Sequence, residues 1–197
     1  MQEISNDLPA YSMWRPDCPL GDYAVPPGFR LRLLRNDEGE AWCACCFNDM
    51  GVDELSQALF DKKMLDDATV PPSSIYCIED VQGVPVATAT AQIKEGDKAY
   101  LHMVAAREDM RGKGLGLPVC AAVIEKHRRE GRMDCRLTTH DWRLGAVKQY
   151  VRLGFVPVLN HDCARVRWEN TIKELGLTRL PCVDENLKPL EDLVCNK

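Results

Sequence analysis

Arg111-Gly112-Lys113-Gly114-Leu115-Gly116 stands between two apolar segments of different period. Upstream, Ala99-Tyr100-Leu101-His102-Met103-Val104-Ala105-Ala106 is short and apolar enough for a buried strand. Downstream, Leu115, Val119, Ala122, Val123 and His127 recur at helical spacing, and Gly131 supplies a C-cap. A strand, a basic glycine loop and a helix start in that order make an anion site. Glycines bring several backbone N–H groups close to one ligand, the helix dipole adds partial positive charge, and Arg111 and Lys113 add full charges. The expected ligand group is a phosphate or pyrophosphate; the competing reading is a surface turn whose glycines set only its geometry. The dinucleotide fingerprint G-x-G-x-x-G and the Walker Gly-Lys-Ser/Thr both fail on spacing here.

A second segment sharpens this. In Asp141-Trp142-Arg143-Leu144-Gly145-Ala146-Val147-Lys148-Gln149-Tyr150-Val151-Arg152-Leu153-Gly154-Phe155, a helix carrying Ala146 and Tyr150 runs into Gly154-Phe155. Together the two segments resemble the GNAT superfamily of N-acetyltransferases. The first matches its R/Q-x-x-G-x-G/A signature from Arg111 to Gly116, and the second its Ala, Tyr and Gly-Phe helix. The resemblance covers roughly residues 75–160.

That resemblance implies acetyl-coenzyme A as cosubstrate and a primary amine as acceptor. Backbone groups of Met103, Val104 and Ala105 would hold the pantetheine arm and acetyl carbonyl. Those of Arg111, Gly112, Lys113, Gly114, Leu115 and Gly116 would take the pyrophosphate. Tyr150 would be the general acid for the departing thiolate; the competing reading is a core tyrosine in an apolar stripe. His102 is the candidate base, although strand alternation sets it on the face opposite Met103. Glu79, His140 and Asp141 compete with it. Arg143 stands where the family often has Asn, seven residues before the Tyr, and would touch the cofactor through its charge. A covalent route through Cys120 or Cys135 would need a nearby base, and no Cys–His pairing is visible in the sequence, so direct transfer is expected.

Length and composition set the bounds. The 197 residues suit one domain, with 45% hydrophobic and 28% charged residues. A net charge of -5 argues against general nucleic-acid binding. The chain has no secretory h-region and no apolar run of membrane-spanning length, which places it by default in the cytoplasm, with no membrane partner. Ten cysteines without a signal peptide read as thiols, and Cys43-Ala44-Cys45-Cys46 lacks the spacing of a zinc site. In a helix Cys43 and Cys46 share a face and Cys45 does not; all three read as small core residues, and no metal is expected.

The expected architecture is α/β in a single domain, a mixed, mostly antiparallel sheet flanked by helices on both faces. Residues 1–27 carry Pro9, Pro16, Pro19, Pro26 and Pro27 and read as irregular, 28–160 as the acetyltransferase domain, and 161–197 as a C-terminal helix and tail. Strands are expected at 29–34, 75–79, 85–93, 99–106, 134–138 and 155–158, with Pro157 marking an edge or bulge. Helices are expected from Asn36 or Asp37 to about Phe47, from Asp53 or Ser56 to about Leu65, and over 164–175; the tail after Gly176 reads as irregular. Acidic residues outnumber basic ones between Asp37 and Asp67, where the family walls its acceptor site. A cationic amine would suit such a wall, and so would a merely solvated face.

Three functions compete: an acetyl-coenzyme A-dependent N-acetyltransferase acting on a small molecule or protein, a non-catalytic acyl-coenzyme A sensor of the same fold, and a cysteine-based redox or metal protein. Pairing through edge strands or the C-terminal segment would make a homodimer.

Overall fold

The computed structural model describes residues 8–195. In chain order, its first five strands are β1 (Tyr11–Arg15), β2 (Arg30–Leu33), β3 (Ile75–Glu79), β4 (Pro85–Lys94) and β5 (Lys98–Ala106). Then come β6 (Cys135–Thr139), β7 (Val156–Leu159), β8 (Arg179–Leu180), β9 (Val183–Asp184) and β10 (Leu193–Val194). The helices are α1 (Gly39–Cys46), α2 (Gln57–Phe60, extended by a π-turn over Asp61–Leu65), α3 (Gly116–Arg129), α4 (Leu144–Arg152) and α5 (Ala164–Glu174). The fold is mixed α/β with mostly antiparallel pairing. It divides into two compact units, Pro16–Cys135 and the remainder.

In the unit Pro16–Cys135, strands β2, β3, β4 and β5 pair antiparallel in that order. All residues from Pro85 to Gln92 of β4 are buried, so both of its faces are covered. One cover is an apolar cluster of Trp42, Cys43, Cys45, Cys46, Phe60 and Met64 from the first two helices, with Ile75 and Met103 from the sheet. The three neighbouring cysteines are therefore core residues, Cys45 included, because the short α1 is enclosed on most of its circumference. Gly39 allows this closeness, since a Cβ there would fall 2.8 Å from Cβ of Phe60. The helix start expected at Asn36 or Asp37 moves to Gly39 because Glu38 is engaged by Arg32 and by the Arg35 backbone N–H. Ser56 caps α2, its Oγ accepting from Leu59 N–H at 3.1 Å. Helix α3 packs on β3, β4 and β5 through a buried stripe of Val119, Cys120, Val123, Ile124 and His127.

The other unit holds the strand order β6-β1-β7-β9. Strand β1 lies in the proline-rich stretch that reads as irregular. The window between Pro9 and Pro16 is free of proline, and Tyr11, Met13 and Arg15 alternate inward along it. Its Met13 opposes Pro157, and β9 joins β7 only from Val158 onward, so Pro157 pairs on one side alone, a local edge that suits a residue without an N–H. Tyr11 stacks on Trp168 of α5 at 4.0 Å, and its hydroxyl meets Thr171 Oγ1 at 2.9 Å. Beyond α5 the chain is not irregular throughout: β8 pairs with β10 and β9 with β7.

Candidate functional site

Strand β5 is where the sheet departs from regularity. Thr90 opposes His102 and Thr88 opposes Ala105, so β5 uses one residue more than β4 over the same span. The extra residue is a bulge, and Met103 within it has φ of 47°. Glycine usually takes that left-handed position, and a methionine there is held by its surroundings. Its side chain is buried in the apolar cluster beneath α1. Backbone groups of residues 103 and 104 thereby leave the register with β4, a few residues before the glycine loop, and pairing resumes where Ala105 meets Thr88.

The bulge also corrects the alternation argument for His102. Ile75 belongs to the same apolar cluster as Met103 and pairs directly with Thr90, which pairs directly with His102. Directly opposed residues share a face, so His102 lies on the α1/α2 face together with Met103. It is half-buried, and burial, reinforced by Lys94, holds its pKa below the usual imidazole value. The imidazole is thus neutral at neutral pH and able to take a proton.

The glycine loop follows a single 3-10 turn, Glu108–Met110. Gly112 and Gly114 have φ of 78° and 79°, and Arg111 to Gly114 are exposed. A Cβ at Gly112 would meet nothing within 4 Å, and one at Gly114 only Pro26 at 3.8 Å, so the glycines serve backbone geometry and open space rather than packing. Leu115 is buried and anchors the loop to the fourteen-residue α3. Pro118 falls within the first turn, where the missing N–H leaves no intrahelical bond unmade. Open backbone, two cations and a helix start fit a pyrophosphate; these residues could hold the cofactor's phosphates.

The other expected side chains belong to the second unit. Arg143 sits at the N-cap position of α4, its guanidinium 5.5 Å from the ring of the half-exposed Trp142. Tyr150 is buried on the strongly amphipathic α4, edge-on to Phe155 at 6.0 Å. Of the competitors for the base, Glu79 and Asp141 are occupied, while His140 is exposed and stacked on the Trp142 ring at 5.9 Å. Glu79 is buried against Arg32 and Arg30, which hold its carboxyl below the usual range. Asp141 accepts from Arg167 at 2.7 Å. Cys120 and Cys135 are buried, and burial pushes the Cys120 thiol up. A Cys–His contact does exist, at Cys163 and His161 Nδ1, 3.2 Å apart on the approach to α5, where the two residues are separated in sequence only by Asp162.

Sequence reasoning missed the polar members of the β4–β5 face. Thr90 and Gln92 are buried, and Asp67 reaches the same face through Gln92 Nε2 at 3.2 Å. Their signal was present in the alternation Thr88, Thr90, Gln92, Lys94. The acidic stretch also lines an open hollow of about 990 Å³ beside Asp37, Glu40 and Asp61. Among the described residues, no helix is long and apolar enough to cross a membrane, and no three His, Cys, Asp or Glu side chains are grouped to hold a metal ion.

Residues 31–155 match the acetyltransferase (GNAT) family. The chain belongs to that family. Among solved structures it is similar to a GCN5-related N-acetyltransferase from Sphaerobacter thermophilus, with 20% identity and a TM-score of 0.58 over 76% of this chain and 49% of that one. A GNAT-family acetyltransferase from Novosphingobium aromaticivorans shares 17% identity at a TM-score of 0.55 over 75% of this chain and 59% of that one. A Trypanosoma brucei acetyltransferase shares 20% identity at a TM-score of 0.51, over 64% of this chain and 91% of that one. The chain thus spans about half the length of the Sphaerobacter protein. Among curated proteins, none matches.

Proposed function

We propose that this GNAT chain transfers an acetyl group directly from acetyl-coenzyme A to a primary amine. The observation that carries the reading is the β5 bulge at Met103, followed within one strand end by the exposed glycine loop on α3. The thioester supplies an activated acyl group with a good leaving group. The backbone of the bulge at Met103 and Val104, with that of Ala105 beside it, holds and polarises the acyl carbonyl, and the loop from Arg111 to Gly116 anchors the pyrophosphate. The amine nitrogen attacks the carbonyl carbon, forming the C–N bond, and its proton passes to His102. The C–S bond breaks with its electron pair on sulfur, and the Tyr150 phenol protonates the thiolate. Arg143 contributes charge toward the cofactor. Cysteine is not needed as a nucleophile, because the flanking thiols are buried. The protein works in the cytoplasm on a small-molecule or protein amine, either as a monomer or as a homodimer.

Calorimetric titration of acetyl-coenzyme A, with ATP as control, tests the cofactor site. Selective binding that Gly114→Trp weakens at least about tenfold supports it, since the left-handed φ resists any side chain. Absence of binding by folded protein overturns it. Tyr150→Phe then separates enzyme from sensor: transfer falls by about a hundredfold while binding persists.

A further inference from the structure

The turn from β6 into α4 exposes an aromatic surface that packing does not account for. Trp142 is 50% exposed, whereas Trp42 and Trp168 are fully buried. The exposed His140 lies nearly parallel to it, with 15° between the planes and ring centroids 5.9 Å apart. The Arg143 guanidinium stands 5.5 Å from the same indole. An indole left half in water forgoes much of the stabilisation that burial gives, yet the turn that carries it is firmly tied. Trp142 N–H donates to Asp141 Oδ1 at 3.0 Å, and Arg143 N–H donates to His140 O at 3.1 Å. Asp141 Oδ2 in turn accepts from Arg167 Nη2 at 2.7 Å and from Nε at 3.0 Å. The ring is thus held in place at the surface before any ligand arrives, which lowers the cost of stacking something on it.

The surroundings define the chemistry that fits. A flat, half-exposed indole beside an imidazole takes a planar heteroaromatic ring by stacking. A guanidinium at its edge takes an anion attached to that ring. Helix α4 adds to the anion side. It begins without a side-chain cap, and a Cβ on Gly145 would meet nothing within 4 Å, so its first turn is open. A nucleobase with a phosphate close by answers all of these features. Tyr150 lies on the same helix two turns beyond Arg143, about 10 Å along the axis at helical rise. All of these groups belong to the unit that carries α4.

Coenzyme A has a thiol at one end and adenosine, phosphorylated on its ribose, at the other. The glycine loop accounts only for the pyrophosphate between them. Resting on the acetyltransferase reading above, we propose that Trp142 and His140 form a stacking shelf for the adenine of acetyl-coenzyme A, with Arg143 meeting the phosphate on the ribose. The shelf does not touch the reacting atoms; it selects the donor. It favours free acetyl-coenzyme A over a phosphopantetheine thioester that lacks the nucleoside.

The test is calorimetric and needs no acceptor. It compares acetyl-coenzyme A with acetyl-phosphopantetheine, which keeps the thioester arm and lacks the adenosine, in the wild type, Trp142→Ala and Trp142→Phe. Acetyl-coenzyme A should bind the wild type at least about tenfold more tightly than acetyl-phosphopantetheine. Trp142→Ala should weaken acetyl-coenzyme A about tenfold and leave acetyl-phosphopantetheine unchanged, whereas Trp142→Phe, which keeps an aromatic ring, retains most of the affinity. Arg143→Gln should weaken acetyl-coenzyme A and leave its dephospho form, which lacks the ribose phosphate, unchanged. Because Trp142 is half-exposed the fold should hold, and an unaltered thermal midpoint checks that. Equal affinity of the wild type for the two ligands overturns the shelf and leaves the acetyltransferase reading standing. So does a Trp142→Ala variant that loses nothing, or loses both ligands equally. Failure of the folded wild type to bind acetyl-coenzyme A removes both.

Discussion

At the scale of single residues, backbone conformation carries more of the site than side-chain chemistry does. Met103 takes a left-handed φ that costs an L-residue on the order of 1 kcal/mol or more, and its burial under α1 offsets that cost. Gly112 uses the same region without penalty and with open space around its Cα. Gly112→Ala should thus destabilise by about 1 kcal/mol through φ alone, measurable in urea unfolding, with weaker acetyl-coenzyme A binding. A cost near zero would mean the loop relaxes freely. Thiol chemistry is also a matter of single residues. Of the ten cysteines only Cys163 is exposed, and His161 Nδ1 lies 3.2 Å from its Sγ. An aromatic disulfide reagent should react first at Cys163, and Cys163→Ser should remove that fast phase; a fast phase surviving in the variant would place it at Cys18 or Cys195.

At the scale of elements, β1 and α5 show how a short strand is fastened. Five residues of β1 are too few for independent stability. Tyr11 stacks on the fully buried Trp168 and bonds Thr171, and the Arg15 guanidinium donates to Leu153 O at 2.7 Å. Trp168→Ala should cost about 3–5 kcal/mol. Tyr11→Phe, which keeps the ring and removes the hydroxyl, should cost about 1 kcal/mol. Equal losses for the two would show that the hydrogen bond, not the stack, holds the strand. In the other unit, Gly39 plays the fastening role by letting α1 and α2 touch.

For the whole molecule, the titrating histidines set how stability varies with pH. His127 is buried against Tyr100 O at 3.3 Å, and burial pulls its pKa below the ordinary 6.5, as it does for His102. Both bind a proton less readily folded than unfolded. Their contribution is fully present above pH 6.5 and is lost as pH falls from there through the lowered folded values. Midpoints of thermal unfolding should be flat above that pH and fall below it, and His127→Gln should flatten the fall. Glu38, Glu79 and Asp67, whose carboxyls are all held below their ordinary range, act in the same direction at lower pH, below about 4.5. A profile unchanged between pH 7 and pH 5 would rule out the histidine contribution.

What could be read from the chain alone is local. The glycine loop, the α3 stripe, the Tyr150 helix and the hairpins follow from periodicity and turn chemistry within windows of a dozen residues, and so the family was legible before any coordinates. Strand β1 was hidden because its neighbours in the sheet come from more than a hundred residues away, at Val156–Leu159. The face of His102 was misread because one inserted residue in β5 shifts the alternation, and only the partner strand reveals the insertion. Glu79 and Asp141 looked available until their arginines were in place. The buried oxygens of Thr90 and Gln92 are the strongest case. Whether a polar atom has a partner depends on everything packed around it, a property of the tertiary structure that no spacing in the sequence encodes.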